Sequence, residues 1–436
     1  MKQDSSFPDS ITLNGADFFL LQLDHIMWKL SGQRNICTFV VTLQERLEYE
    51  DLEKHLSANS AYQWICRLRL QKGWPFTLTK WVFKAHLALP EIEQYQLDEQ
   101  GSLPESFLKK PFNIEQQPAF KVSLVQISGG GSRLIFTWHH ALMDAHGGET
   151  FIRYLGGSAA MQEGDWVASE QGSSLLPLRE RADIALKMKE FLCDVSRLPF
   201  ISFTKKSTPK HNVHYRVVSF TAAQSKLIVQ RARLQGAGFL VSAFYLAVTA
   251  FAVANVQTKK SPLAGDMLIP IPLDRRKRGV HSPILGNQVT FLFYRIPLAA
   301  LANIKTCVAE LITQMKSLMR SENPSHYLVM MDFLRRVPGW LYRMQLTSPT
   351  KGQMASFYYS DTGDSLDLYD QLFDCAVASA LHYPPNMYPP GVTFVFSRFH
   401  GALQLTIGYM DSALDNEELE QLLAQLQLGL LGETNE

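Results

Sequence analysis

The chain has 436 residues, too many for one ordinary core of ~100–200 residues, so two domains or subdomains are expected. Hydrophobic residues make up 46% and charged residues 19%, which excludes a disordered or fibrous chain. The 42 Lys and Arg balance 41 Asp and Glu, leaving a net charge of +1 and no surplus for gripping nucleic-acid phosphates.

In chain order, the apolar spacing predicts a helix over Asp17–Leu30, a strand over Cys37–Leu43, a short helix over Tyr49–Leu56 and a strand over Trp64–Leu70. Phe120–Ile127 and Arg133–Trp138 read as two strands joined by Ser128-Gly-Gly-Gly-Ser132, a hairpin turn. That glycine run lacks the Lys and Ser/Thr of a phosphate-binding loop. A helix is predicted over Gly148–Tyr154 and a longer one over Leu178–Val195, with Gly156–Ser174 a loop and Ser207–Asn212 a linker. The boundary between halves falls near residues 160–210 and is set at 1–185 and 186–436.

The second half opens with a strand, Val213–Phe220, and helices over Ser225–Leu234 and Phe239–Val256. Leu234–Thr258 is uncharged and long enough to cross a bilayer. Its Ser242, Thr249 and several alanines, with basic residues at both ends, favour a buried core helix over a transmembrane segment. Strands follow over Met267–Pro272 and Val289–Ile296, helices over Ala300–Met319 and Tyr327–Arg335, and strands over Ser356–Tyr359, Phe373–Ala378, Val392–Ser397 and Ala402–Gly408. Asn416–Leu431 closes the chain as a helix. The class is α/β with mixed or antiparallel sheets in two similar halves. The cysteines Cys37, Cys66, Cys193, Cys307 and Cys375 are scattered and form no CxxC pair. This argues against disulfides and a cysteine zinc site, for a reducing, cytoplasmic setting. The N-terminus shows no secretory h-region.

The chemistry concentrates in Trp138-His139-His140-Ala141-Leu142-Met143-Asp144-Ala145-His146-Gly147-Gly148, where three of the 12 histidines fall within eight residues, between a strand and a helix. Three readings compete. One histidine is a general base, suited by an ordinary pKa of about 6.5. His139, His140, Asp144 and His146 bind a metal, although adjacent histidines on an extended strand point apart. Or they are ordinary core and surface histidines. The base is favoured, and no metal is expected.

His139-His140-Ala-Leu-Met-Asp144 resembles the HHxxxD signature of the acyltransferase superfamily that includes chloramphenicol acetyltransferase, peptide-synthetase condensation domains and wax ester synthase/diacylglycerol acyltransferases. Pro111-Phe112-Asn113-Ile114 with Pro118, then Ile269-Pro-Ile-Pro-Leu-Asp-Arg-Arg276 with Leu285-Gly286-Asn287, Ser360-Asp361-Thr362-Gly363 and Val395–Asp411 are similar to its further landmarks, so the resemblance spans nearly the whole chain. It implies two chloramphenicol acetyltransferase-like α/β sandwich subdomains with an active-site tunnel between them. It also implies direct transfer of an acyl group from a CoA or carrier-protein thioester to a small-molecule or lipid alcohol or amine, with no cofactor beyond that co-substrate. A stand-alone condensation-type enzyme and a non-catalytic acyl- or carrier-binding relative are the alternatives. Peripheral membrane association is open to it if the acceptor is a lipid.

On this resemblance His140 is the base, Asp144 pairs with an arginine and holds the loop, and His139 orients it. Arg275, Arg276, Arg278, Arg67 and Arg69 are the candidate partners, with Arg275 and Arg278 the foremost. His146, Gly147, Asn287 and Ser360 are candidate substrate contacts, with Asn287 and Ser360 near the tunnel or oxyanion. Relatives often carry Gly directly after the motif Asp; here Ala145 and His146 follow, which bears on the acceptor pocket.

Overall fold

The computed structural model describes residues 7–73, 77–97, 113–160, 166–167, 176–203, 211–259, 265–276, 283–348, 350 and 352–432. The first half supplies β1 (Ser10–Thr12), α1 (Gly15–Ser31), β2 (Ile36–Leu43), α2 (Tyr49–Ala58), α3 (Ser60–Ile65), β3 (Leu68–Gln71), β4 (Lys80–Phe83), β5 (Glu93–Leu97), β6 (Phe120–Ile127), β7 (Ser132–His139), α4 (Ala145–Leu155) and α5 (Leu178–Val195). The second supplies β8 (Val213–Ser219), α6 (Ala222–Leu234), α7 (Val241–Thr258), β9 (Met267–Asp274), β10 (Val289–Ile296), α8 (Ile304–Arg320), α9 (Asn323–Leu334) and α10 (Gly339–Thr347). It continues with β11 (Tyr358–Asp361), β12 (Gln371–Leu372), β13 (Cys375–Tyr383), β14 (Val392–Phe399), β15 (Ala402–Met410) and α11 (Asn416–Leu431).

Two mixed sheets organise these elements. One runs β12-β13-β2-β7-β6-β5 and the other β11-β14-β15-β8, and each has one parallel pair at an edge. Hydrophobic alternation buries Phe39, Val41, Phe136 and Trp138 on one face of the first sheet. The second sheet packs Phe394, Phe396, Leu405 and Ile407 under α7 and α11. The fold is α/β, two layered units as expected. The division at 185/186 does not follow the sheets: it cuts α5, a helix packed on α9, and β12–β13 leave the second half to join β2 in the first sheet.

Helix α7 is long and apolar enough to cross a membrane, yet Phe244, Tyr245 and Val248 are buried, and Tyr245 stacks on Phe396 with ring centroids 4.9 Å apart. The glycine run is a hairpin turn: Gly129, Gly130 and Gly131 all take positive φ, at 100°, 115° and 80°, which only glycine adopts freely in succession. The strand expected at Trp64–Leu70 is split. Asn59 caps α3 by accepting the Tyr62 N–H, and Ala61, Tyr62, Trp64 and Ile65 bury a helical stripe, so the strand begins only at Leu68. Helix α10 was not expected; it starts after Pro338 and packs on α1. Pro111 and Phe112, most of the Gly156–Ser174 loop, and Ser207–Lys210 lie outside the described residues.

Candidate active site

The motif spans the end of a strand and the start of a helix. His139 is the last residue of β7, Asp144 is the N-cap of α4, and the turn between is pinned by bonds from the Leu142 N–H to the His139 carbonyl (2.9 Å) and from Trp138 Nε1 to the Met143 carbonyl (3.0 Å). The β9–β10 ribbon clasps this turn from the other half. Gly286 N–H donates to the Leu142 carbonyl (2.9 Å), Asn287 Nδ2 to the His140 carbonyl (2.8 Å) and Gln288 N–H to Asp144 Oδ2 (2.8 Å).

Asp144 is buried and saturated. Oδ1 accepts the Gly147 N–H at 2.9 Å, satisfying a helix-start donor, and Oδ2 accepts Arg276 Nη1 at 2.9 Å. The arginine partner is therefore Arg276, not Arg275. Arg67 and Arg69 spend their guanidinium groups on backbone carbonyls nearby, including Leu87 and Cys66, and Arg278 lies outside the described residues.

His139 points away from the cavity. Its Nδ1 accepts the Ala141 N–H at 3.1 Å and its Nε2 lies 3.4 Å from Asp24 Oδ1. Burial alone would raise the Asp24 carboxyl, but His139, the Asn35 N–H and Arg34 hold it at about 2.

His140 points the other way. It lines a cavity of about 610 Å³ between the two units, walled by Phe19, Phe291, Phe293, Met330 and Tyr358 among others. Nδ1 is buried without a partner, which leaves Nε2 as the nitrogen turned to the cavity. Burial is the largest influence on the ring and sets its pKa below the ordinary histidine value; its own carbonyl and Asp144 pull the other way and are outweighed. A histidine so placed is a neutral proton acceptor at pH 7.

His146 sits at the cavity wall with Nδ1 2.7 Å from Asp274 Oδ2, a bond that lifts its pKa to about 9 against the effect of burial. Ser360 lines the same cavity. Two expected contacts lie elsewhere. Gly147 is packed away from the cavity, and a Cβ there would meet the Ile284 carbonyl oxygen at 2.4 Å, so its glycine serves close packing of the two halves. Asn287 does not line the cavity either; it bridges the His140 carbonyl to Asp17 Oδ1, each at 2.8 Å. Three of the four residues of the metal reading thus bond different protein groups while the His140 ring bonds none, and among the described residues no group of three or more His, Cys, Asp or Glu is placed to hold a metal ion.

No family model matches the sequence, and no curated protein does. Solved structures do. A trichothecene 15-O-acetyltransferase from Fusarium sporotrichioides matches with a TM-score of 0.71 at 12% identity, over 97% of this chain and 95% of that one. The condensation domain of the Monacolin K polyketide synthase matches at 0.63 and 12% identity, over 98% of both chains. The epimerization domain from the third module of tyrocidine synthetase B matches at 0.65 and 10% identity, over 97% of both chains.

The chain has the condensation-domain fold. At such identities the likeness fixes the fold, and the chemistry has to be argued from the site.

Sequence reasoning missed several residues that build the site in this condensation-domain fold. Asp17 accepts the N–H and side-chain amide of Asn287 and the N–H of Asn14, while burial pushes its carboxyl up to about 7. The capping box Asn14-x-x-Asp17 was a visible local signal for the start of α1, but nothing local linked it to Asn287. Asp274 stood in the quoted Ile269–Arg276 segment beside Arg276, the one of the two that was named as a candidate, whereas Glu149 and His382 carried no pattern at all.

Proposed function

We propose that the protein is an acyltransferase that moves an acyl group from a CoA or carrier-protein thioester directly to a hydroxyl or amine. The observation that carries this reading is His140: a desolvated imidazole with its Nε2 turned into a cavity that both halves line. Nε2 takes the proton of the acceptor as its oxygen or nitrogen attacks the thioester carbonyl. The tetrahedral intermediate then expels the thiolate, which needs little help because thiols ionise near ~8.5. No protein nucleophile enters the scheme. His139 and Asp144 hold the turn from behind, and the apolar wall suits an acyl chain or a lipid-like acceptor. The shared fold with an O-acetyltransferase supports the ester-forming version.

The condensation domains among the matches favour a second version, a stand-alone condensation-type enzyme whose donor rides on a carrier protein. The deciding experiment is free-thiol release from acyl-CoA and acyl-carrier donors with mixed alcohols and amines, for wild type and His140→Ala. Release that requires both an acceptor and His140 is expected. Release that survives in His140→Ala would remove the base assignment, and acyl binding without release from any donor would leave a binding protein.

A further inference from the structure

The same cavity holds a second histidine that the scheme above does not use. His382, on β13, lines it. Its Nε2 lies 2.6 Å from Oε1 of Glu149, and both residues are buried. Glu149 is itself fixed: Ser365 Oγ donates to the same oxygen at 3.1 Å, and the Tyr369 hydroxyl donates to the Glu149 carbonyl at 2.6 Å. The imidazole lies against Phe39 with ring centroids 4.6 Å apart. Nδ1 has no protein partner among the described residues and is not sealed off, so it opens to the cavity.

This is the construction of an oriented imidazole. A carboxylate holds one nitrogen as the donor, and the other presents a lone pair to whatever fills the space. The strand register separates it from the motif. His382 faces Phe39 on β2, while His139 faces Ile36, so His382 and His140 stand two strands across and four residues along, about 16 Å between Cα atoms. Ser360, Asp361 and Thr362, on the segment that leads to Ser365, add polar groups to the lining, which elsewhere includes Phe19, Phe291 and Met330.

We propose that His382, oriented by Glu149, is a specificity-determining contact that accepts a hydrogen bond from a second hydroxyl or amine on the acceptor, remote from the atom that His140 deprotonates. The identity of the occupant as an acceptor rests on the acyl-transfer reading; the contact itself does not.

The test reads binding without turnover. Straight-chain diols from butanediol to dodecanediol, and mono-alcohols of equal length, compete with a fluorescent fatty-acid probe for the wild-type cavity. The same series is run on a variant carrying Glu149→Met and His382→Phe together, which removes both partners and leaves no orphaned charge. At the matching length the affinity ratio of diol to mono-alcohol is expected to fall about tenfold in the variant, the worth of one buried hydrogen bond. If the variant fails to fold, nitrogen NMR of histidine-labelled wild type decides: the His382 Nδ1 signal moves with the diol and not with the mono-alcohol. A ratio unchanged within about twofold, or an Nδ1 signal indifferent to every diol, overturns the proposal. Thiol release dependent on His140 is scored separately, so acyl transfer can fail while the His382 contact stands, and the reverse.

Discussion

His139 and His140 are neighbours in the chain and belong to two different regions of the molecule. Behind the turn lies a buried polar scaffold of separate pairings: Asp24 with Arg34 and the Asn35 N–H beside His139, Asp144 with Arg276, and Asp17 with Asn287. In front lies a cavity whose walls are mainly apolar and where His140 offers a nitrogen to no protein group. The scaffold spends its hydrogen bonds internally, so its residues affect chemistry only through position. The cavity side leaves groups unpaired, and those are the ones available to a substrate. Six residues of one motif thus divide between two jobs, and the alternation of side chains at the end of β7 makes the division.

The largest expected effect falls on the cavity side. His140→Ala should lower turnover by ~10²–10⁴ with little change in stability, because the ring satisfies no other side chain. Thiol-release kinetics and thermal melting measured together test this. A variant that loses activity and unfolds together would erase the distinction between the two regions.

The scaffold should respond in the opposite way. Asp144→Ala takes the nearer of two carboxylates from the Arg276 guanidinium, only 14% exposed, leaving Asp274 at 3.3 Å, and removes the N-cap of α4. Breaking a buried pair from one side costs ~3–5 kcal/mol, which urea denaturation would report. Arg276→Ala leaves the Asp144 carboxylate, 6% exposed, without its counter-charge, a loss softened only by the two N–H donors that Asp144 keeps. Near-additive single and double variants would mean that the pair is not coupled.

Asn287 tests how tightly the regions are joined. Asn287→Ala frees the His140 carbonyl and removes one of the donors to Asp17, an expected loss of ~1–3 kcal/mol. The side chain does not reach the cavity, so kcat should fall by about tenfold while KM holds. A raised KM with kcat intact would place Asn287 on the substrate after all.

The same contrast explains what the sequence made legible. The motif and its strand are local and were read within a residue at either end, but the helix was placed at Gly148–Tyr154, three residues late, because Asp144 was read as an arginine partner and not as its N-cap; β6, β10, α5 and α11 were readable to the residue. The role proposed for His140 comes from a resemblance that attached chemistry to the spacing, not from the spacing itself. Glu149 and His382 were not readable, because 233 positions separate them and neither sits in a pattern that betrays its partner. Gly147 was misassigned for a related reason: a glycine kept clear for the Ile284 backbone looks, in sequence, like a glycine kept clear for a ligand. Trp64–Leu70 failed because the alternation of Ile65, Arg67 and Arg69 outweighed the Asn59 cap, which had already committed that stretch to α3.

His146 lies on the border of the two regions, and its expected effect is the smallest. Its bond to Asp274 raises its pKa from 6.5 to about 9, so the folded state holds the proton more tightly than the unfolded chain. The stabilisation is complete below pH 6.5 and disappears as pH rises through 9. Asp274 behaves inversely: burial would raise its carboxyl, but His146 and Arg276 bring it to about 2, so its share is complete above its ordinary 3.8 and is lost as pH falls from there through about 2. The pair therefore contributes in full between 3.8 and 6.5. The two side chains are 35% and 33% exposed, and screening by water limits the contribution to at most ~1 kcal/mol. The stability difference between wild type and His146→Ala should accordingly shrink from about pH 6 to about pH 10, where other titrations cancel in the comparison. A difference that stays constant would mean that folding does not shift the His146 pKa, and would remove the bond to Asp274 as a source of stability.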